Sequence, residues 1–154
     1  MIYIWSVSTL THTKRLDCSD DVLCLKLLPN GFLASGLAGS SILLWNLASG
    51  NKIATLTGHI SSVLSLEVLP NRDLASGAND NSIKVWDINT HLHKYNLNNH
   101  GGAVNALKLL PNGFLASCSS DQSVKVWDTT NQKEVGQLDA NKPLYSLELL
   151  GKKN

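Results

Sequence analysis

Apolar and polar residues alternate along this chain in short bursts, with turn-forming clusters between them. The middle of the chain shows the pattern most clearly. Val63 to Leu69 is an apolar-rich run that ends at Pro70-Asn71, where proline removes a backbone donor and favours a turn. Asp73 to Gly77 forms a second short run, followed by the polar turn Asn79-Asp80-Asn81. Ser82-Ile83-Lys84-Val85-Trp86-Asp87 then alternates with period two, as a strand with two unlike faces does. His93 to Leu97 supplies a fourth, more polar strand. No segment sustains an apolar stripe at i, i+3, i+4 and i+7, so the pattern predicts an all-β chain.

The same four-strand unit recurs. Leu27-Leu28-Pro29-Asn30-Gly31-Phe32-Leu33-Ala34-Ser35 reappears unchanged at Leu109 to Ser117, and Val68 to Ser76 is the same segment with three substitutions. Pro29, Pro70 and Pro111 are spaced by 41 residues, as are Trp45, Trp86 and Trp127. A fixed period of this length marks a repeat architecture, in which each unit buries its apolar face against its neighbours. Ile2-Tyr3-Ile4-Trp5 aligns with Ile42 to Trp45 at a spacing of 40, and Leu144 to Leu150 aligns with Val104 to Leu110 after one deletion. Both ends therefore belong to the array.

Composition narrows the classes of function. With 154 residues, 43% of them hydrophobic and only 16% charged, the chain has the make-up of one folded domain rather than a disordered polymer. A formal net charge of +1 lacks the excess of basic residues that phosphate neutralisation requires, so no nucleic acid is expected as a partner. Cys18, Cys24 and Cys118 are odd in number and form no CxxC pair. That argues against a disulfide framework or a structural zinc site, and Cys24 and Cys118 read as small buried hydrophobes. The first residues lack the basic start and long apolar run of a signal peptide, and no stretch approaches the ~20 apolar residues of a membrane span. An intracellular chain, cytoplasmic or nuclear, with no membrane partner is the expectation.

Thr57-Gly58-His59, Leu74-Ala75-Ser76-Gly77, Asp80 and Ile83-Lys84-Val85-Trp86-Asp87 together resemble a WD40 repeat, with its Gly-His…Trp-Asp signature. The next unit repeats the register with His100, Ser117, Asp121 and Trp127-Asp128. The resemblance covers essentially the whole chain and implies a β-propeller, whose four-stranded blades stack around a central channel. It further implies that His59, Ser76, Asp80 and Trp86 form a buried hydrogen-bonded chain in one blade, and His100, Ser117, Asp121 and Trp127 in the next. Buried indole, hydroxyl and imidazole groups must each find partners, so such a set locks a turn to the loop entering the blade. A Ser-His-Asp catalytic triad is the competing reading. The set recurs in each repeat and lacks an oxyanion-hole signature, so no enzyme and no catalytic residue is expected. The unit from Cys18 to Gly58 departs from the pattern, with Cys18 in the place of His59, Gly39 in that of Asp80 and Asn46 in that of Asp87. Ser35 and Trp45 remain, and this blade is expected to be the looser one. Ala140 falls where the following unit would need its His.

Two further patterns stand out. Lys26, Glu67, Lys108 and Glu148 occupy equivalent places on the first strand of each unit, so that sign alternates from blade to blade. First strands line the channel of a propeller. The row reads as neighbouring charges that pair at ~0–1 kcal/mol each and set register, rather than as an ion or ligand site. His91-Leu92-His93 places two imidazoles at i and i+2 of a strand, yet no third ligand lies at nearby spacing. No metal is expected, and in the absence of a Gly-rich phosphate loop no cofactor either.

The expected architecture is an all-β, WD40-type β-propeller with about three complete four-stranded blades and partial blades at both ends, an incomplete or fragmentary ring. Residues 1–17 supply the third and fourth strands of a partial blade and 18–58 the degenerate repeat. Residues 59–99 and 100–140 are the two regular repeats, and 141–154 hold the first strand of a further blade. A fragment of a longer propeller, a four-blade ring and a ring closed by two chains are the alternatives, and open blade edges leave room for self-association. By resemblance, the function is that of a non-catalytic scaffold presenting one loop face to other proteins or peptides. Its contact positions would be Ser61, Asn79, Gly102 and Ser120, with Asp20 and Ala38 in the degenerate unit. None is an aromatic or Arg anchor of the kind that dominates interfaces. The alternative is a structural array segment, or a fragment of a larger WD40 protein, with no partner of its own.

Overall fold

The computed structural model describes residues 1–149. Every regular element among them is a β-strand, and none of them forms a helix long and apolar enough to cross a membrane. A first hairpin pairs β1 (Ile2–Ser6) with β2 (Thr11–Leu16). Three antiparallel four-stranded meanders follow. The first joins β3 (Val22–Leu27), β4 (Phe32–Leu37), β5 (Ile42–Asn46) and β6 (Lys52–Leu56). Next come β7 (Val63–Val68), β8 (Leu74–Ala78), β9 (Ile83–Asp87) and β10 (Leu92–Leu97). The last holds β11 (Val104–Leu109), β12 (Leu115–Ser119), β13 (Ser123–Asp128) and β14 (Lys133–Asp139). Each strand pairs only with its neighbours in sequence, and successive sheets meet through their first strands, β3 against β7 and β7 against β11. These are propeller blades in an open arc.

Residues 141–149 form no sheet strand, in contrast to the first strand expected there. No second strand follows among the described residues to give the segment a ladder partner. Residues 150–154 of that expectation lie outside the described residues. The segment is tied to the last meander at its start, where Leu144 N–H donates to the Ser119 carbonyl at 3.1 Å and Asn105 Nδ2 donates to the Leu144 carbonyl at 2.6 Å.

The turn after each first strand is built alike. Gly31 N–H donates to the Leu28 carbonyl at 2.9 Å, and Leu28 N–H donates to the Phe32 carbonyl at 2.8 Å. This geometry needs a left-handed residue, supplied by Gly31 at φ +82° and Gly113 at φ +86°. Arg72 holds the same repeat position at φ +70°. A Cβ in that region costs roughly 1–2 kcal/mol, partly offset by the greater freedom glycine has in the unfolded chain. Arg72→Gly is therefore expected to stabilise the fold by about 0.5–1 kcal/mol, seen as a raised urea midpoint at unchanged slope.

The core lies between blades rather than within any one sheet. Period-two alternation sends neighbouring residues to opposite junctions. Leu33, Leu43 and Trp45 face back toward Ile2 and Leu16 of the hairpin, whereas Ala34, Ile42 and Leu44 face forward toward Val63, Leu66 and Trp86. Ala75, Ile83 and Val85 repeat the forward pattern against Val104, Leu107 and Trp127. Each fully buried side chain of this size stabilises by ~1.5–3 kcal/mol, so blades depend on their neighbours for most of their stability. Close approach of the next blade requires a small residue on β4 and β8. A Cβ at Gly77 would lie 2.6 Å from Val104 Cγ1, and one at Gly36 would lie 2.8 Å from Val63 Cγ1. Cys118 takes the equivalent place on β12 and is fully buried. Cys24 is partly buried with its thiol directed at the Val63 carbonyl, and burial pushes that thiol up to about 11, outside the range of reactive cysteines.

Candidate functional site

Two four-residue sets sit at the same end of adjacent blades. Trp86 on β9 donates its indole N–H to Ser76 Oγ on β8 at 2.8 Å. Ser76 Oγ lies 2.7 Å from His59 Nε2, and His59 Nδ1 lies 2.8 Å from Asp80 Oδ2. The next blade repeats the distances, with Trp127 to Ser117 at 2.8 Å, Ser117 to His100 at 2.7 Å and His100 to Asp121 at 2.7 Å. Chemistry fixes the direction of the chain. A carboxylate accepts only, so Nδ1 carries the proton and donates to Asp80, and Nε2 accepts the Ser76 hydroxyl proton. Ser76 in turn accepts from the indole. Each imidazole is thus neutral, and burial holds both His59 and His100 below the usual histidine range against the opposing pull of their aspartates.

The aspartates tie the set to its loops. Burial alone would raise Asp80, but hydrogen bonds from Ser82 Oγ, Ile60 N–H, His59 and Ser82 N–H outweigh it and bring the carboxyl down to about 2. Asp121 is lowered in the same way against burial, by Ser123 Oγ, His100, Gly101 N–H and Ser123 N–H. Each aspartate therefore joins the loop entering its blade, at Ile60 or Gly101, to the hairpin turn ending at Ser82 or Ser123.

The Ser–His–Asp order and spacing match a hydrolase triad. Ser76 and Ser117 are nonetheless wholly buried, with their oxygens already occupied by an indole N–H, and no cavity opens on them among the described residues. Each hydroxyl instead bridges an indole and an imidazole.

The degenerate blade keeps half of the chain. Trp45 Nε1 donates to Ser35 Oγ at 2.9 Å, and Ser35 passes its proton to the Leu43 carbonyl at 3.4 Å. Cys18 turns its thiol toward the Leu16 carbonyl instead. The Asp20 carboxylate occupies the space that a side chain on Gly39 would need. An acidic group therefore returns to this corner from the entering loop rather than from the hairpin.

The expected contact positions lie on the loops that the two sets anchor. Asn79 is exposed and donates to Ser61 Oγ at 3.3 Å, so these two residues bridge the loops across the blade end. Ser120 Oγ accepts from Asn105 Nδ2 at 3.0 Å and is half-buried. A Cβ on Gly102 would lie 2.8 Å from Asp121 N, which makes Gly102 a point of close backbone approach. In the degenerate unit Ala38 N–H donates to the Asp21 carbonyl at 3.0 Å, and the Ala38 carbonyl accepts from Ser62 Oγ at 2.9 Å. Asp20 is half-buried beside it. Sequence reasoning missed Ile60, an aliphatic residue 89% exposed at the tip of the entering loop. Its place in the loop directly after His59 was the available signal, and its N–H donates to Asp80 Oδ2 at 3.0 Å.

Other candidates resolve differently. Lys26 Nζ on β3 pairs with Glu67 on β7, and Lys108 Nζ on β11 approaches Glu148 Oε1 of the segment 141–149 at 3.5 Å, so the charge row forms two lateral pairs. His91 sits in the β9–β10 turn at φ +61°, off the strand ladder, while His93 Nε2 bonds Asn96 Oδ1 at 2.8 Å and its ring meets the edge of Trp86. The two imidazoles do not converge, and no group of three metal-binding side chains is found among the described residues.

Known proteins place this geometry. The family model of the WD domain, G-beta repeat (WD40) matches residues 50–87 and 91–128. A solved structure of the RRP9 WD40 repeats superposes with a TM-score of 0.76 at 28% identity, covering 82% of this chain and 41% of that one. A structure of U3-55K matches with the same score and identity, covering 82% of this chain and 42% of that one. The chain thus spans about two fifths of the length of these structures. No curated protein matches it. Matching repeats, four-stranded blades and this structural likeness together identify the chain as a member of the WD40-repeat family, folded as an open arc of propeller blades.

Proposed function

We propose that this chain is a non-catalytic interaction scaffold that offers the loop face of its two regular blades to a protein or peptide. The family generally acts in this way, and one observation carries the reading here. Both four-residue sets hold the entering loop against the hairpin turn at the same end of adjacent blades, which pre-organises Ile60, Ser61, Asn79 and Ser120 as one surface. Pre-ordered loops lose little conformational entropy on binding, and an exposed aliphatic tip ringed by polar groups supplies the apolar contact.

The test compares proteins retained from cells by the unmodified chain with those retained by Ile60→Asp combined with Asn79→Arg. Asn112→Arg, at the opposite blade end, serves as control. Loss of a defined set of retained proteins by about tenfold or more, only in the loop-face variant, is expected. Retention that is insensitive to the loop face would overturn the reading. A structural array segment of a larger WD40 protein would then replace it, a role that fits coverage of about two fifths of the matched structures.

A further inference from the structure

Three turns of one kind join the first and second strands of the three meanders. Leu28-Pro29-Asn30-Gly31, Leu69-Pro70-Asn71-Arg72 and Leu110-Pro111-Asn112-Gly113 each close on a bond of 2.9 Å from the fourth residue's N–H to the first residue's carbonyl. In each, the asparagine Oδ1 accepts the N–H two residues on, from Phe32 at 3.1 Å, Asp73 at 3.1 Å and Phe114 at 3.2 Å. That bond folds the side-chain amide back over the turn, beside the backbone nitrogen of the next residue. It also draws electron density away from the amide carbon.

Beyond this shared geometry the turns divide. Gly31 and Gly113 follow two of the asparagines, and these are the two Asn-Gly pairs in the chain. Glycine has no Cβ to crowd its nitrogen, and nothing lies within 4 Å of the place a Cβ on Gly31 would take. Asn30 and Asn112 are exposed, and among the described residues each side chain is bonded through Oδ1 alone. In the middle turn Arg72 brings a side chain, and Asn71 Nδ2 donates to Asp73 Oδ2 at 2.8 Å. A carboxylate at that N–H strengthens the nitrogen's donation into its own carbonyl and makes the carbon a poorer electrophile.

We propose that Asn30 and Asn112 are sites of spontaneous deamidation through a succinimide, and that Asn71 is spared. The Gly31 nitrogen, released from the Leu28 carbonyl as the turn opens, gives up its proton and bonds to Asn30 Cγ. The Cγ–Nδ2 bond breaks, and the nitrogen leaves as ammonia. Water then opens the ring at either carbonyl to give aspartate or isoaspartate, with no change of oxidation state. Asn112 and Gly113 react in the same way. Aspartate keeps the acceptor for the following N–H, whereas isoaspartate adds a methylene to the backbone and the turn no longer closes in register. Each event adds one negative charge, so the two together take the formal net charge from +1 to −1. The change of sign falls at the blade ends opposite the loop face.

The full chain, held warm at pH 8 and at pH 6, provides the test, because loss of the backbone amide proton is promoted by base. Isoelectric focusing should show two successive acidic steps at pH 8 and a far slower change at pH 6. Peptide mapping should place the exchange of NH for O at Asn30 and Asn112 and leave Asn71 intact. An isoaspartyl methyltransferase should label the same two peptides. Asn30→Gln combined with Asn112→Gln should remove both steps, since glutamine must close a larger ring. Arg72→Gly combined with Asp73→Phe copies the flanking turns into the middle one and should add Asn71 as a third site. Cooperative unfolding of each variant verifies its fold. Both Asn-Gly pairs remaining intact after a free peptide spanning Leu27 to Leu33 has converted would overturn the proposal. So would an Asn71 that converts as fast as Asn30 and Asn112 in the unmodified chain. Neither outcome bears on the loop face, which stands or falls by its own variants.

Discussion

Replacing Ser76 by alanine is expected to destabilise the chain by about 2–4 kcal/mol, more than Ser35→Ala in the degenerate blade at about 1–2 kcal/mol. Both hydroxyls are wholly buried and both accept an indole N–H, from Trp86 at 2.8 Å and from Trp45 at 2.9 Å. The difference lies beyond the indole. Ser76 also supplies the proton that His59 Nε2 accepts, so its loss strands two buried groups and loosens the imidazole that Asp80 holds. Ser35 gives its proton to the Leu43 carbonyl, which keeps its place in the sheet when the hydroxyl is gone. Urea unfolding of the two variants measures the gap. Equal losses would show that the histidine and aspartate add nothing to the serine and tryptophan. A double-mutant cycle between Ser76 and Asp80, which are linked through one ring, should return a coupling of roughly 1 kcal/mol or more.

Lowering the pH is expected to destabilise the fold in two stages. His59 and His100 are held neutral by burial, so the unfolded chain takes up protons first as pH falls through about 6.5. Their contribution is fully present above that value and declines below it. Asp80 sits at about 2 in the folded chain against an ordinary 3.8, so its contribution is intact above pH 3.8 and is lost as pH falls toward 2. That shift corresponds to ~2 kcal/mol. Asp121 is lowered likewise and steepens the same stage. Denaturant midpoints measured from pH 8 to pH 3 should therefore form a plateau, a shallow fall and then a steeper one. Asp80→Asn should flatten the last stage. Stability that rises on acidification would contradict neutral, buried imidazoles.

Much of this architecture is legible in the chain because its causes are local. Pro70-Asn71 ends a strand wherever it stands, and alternation from Ser82 to Asp87 marks two faces before any neighbour is known. The members of the buried sets recur in register for a similar reason, since a buried indole N–H and a buried imidazole need the same partners in every blade. Residues whose state depends on how turns and loops pack in space were not legible. His91 and His93 look like an i, i+2 pair on a strand, yet the β9–β10 turn claims His91 and separates the rings. Gly102 looks like an open loop position, although backbone approach to Asp121 leaves no room for a side chain. The segment after Lys142 carries a strand pattern and forms no strand among the described residues, because a ladder requires a partner that a pattern does not supply.

The sequence by itself determined the period of 41, the all-β character and the residues able to form each hydrogen-bonded set. Strand alternation, turn chemistry and the pairing needs of polar groups act over a few residues and are written in order along the chain. The tertiary structure alone decided which copy of each repeated feature is covered. Leu25, Leu66 and Leu107 occupy one repeat position on their first strands, but a preceding blade closes over the last two and leaves the first exposed. Ile60 likewise stands exposed beside a backbone N–H that is bonded to Asp80, a contact between residues twenty apart in the chain. Burial is a relation between elements distant in sequence, and identical residues acquire different roles when the packing of their neighbours differs.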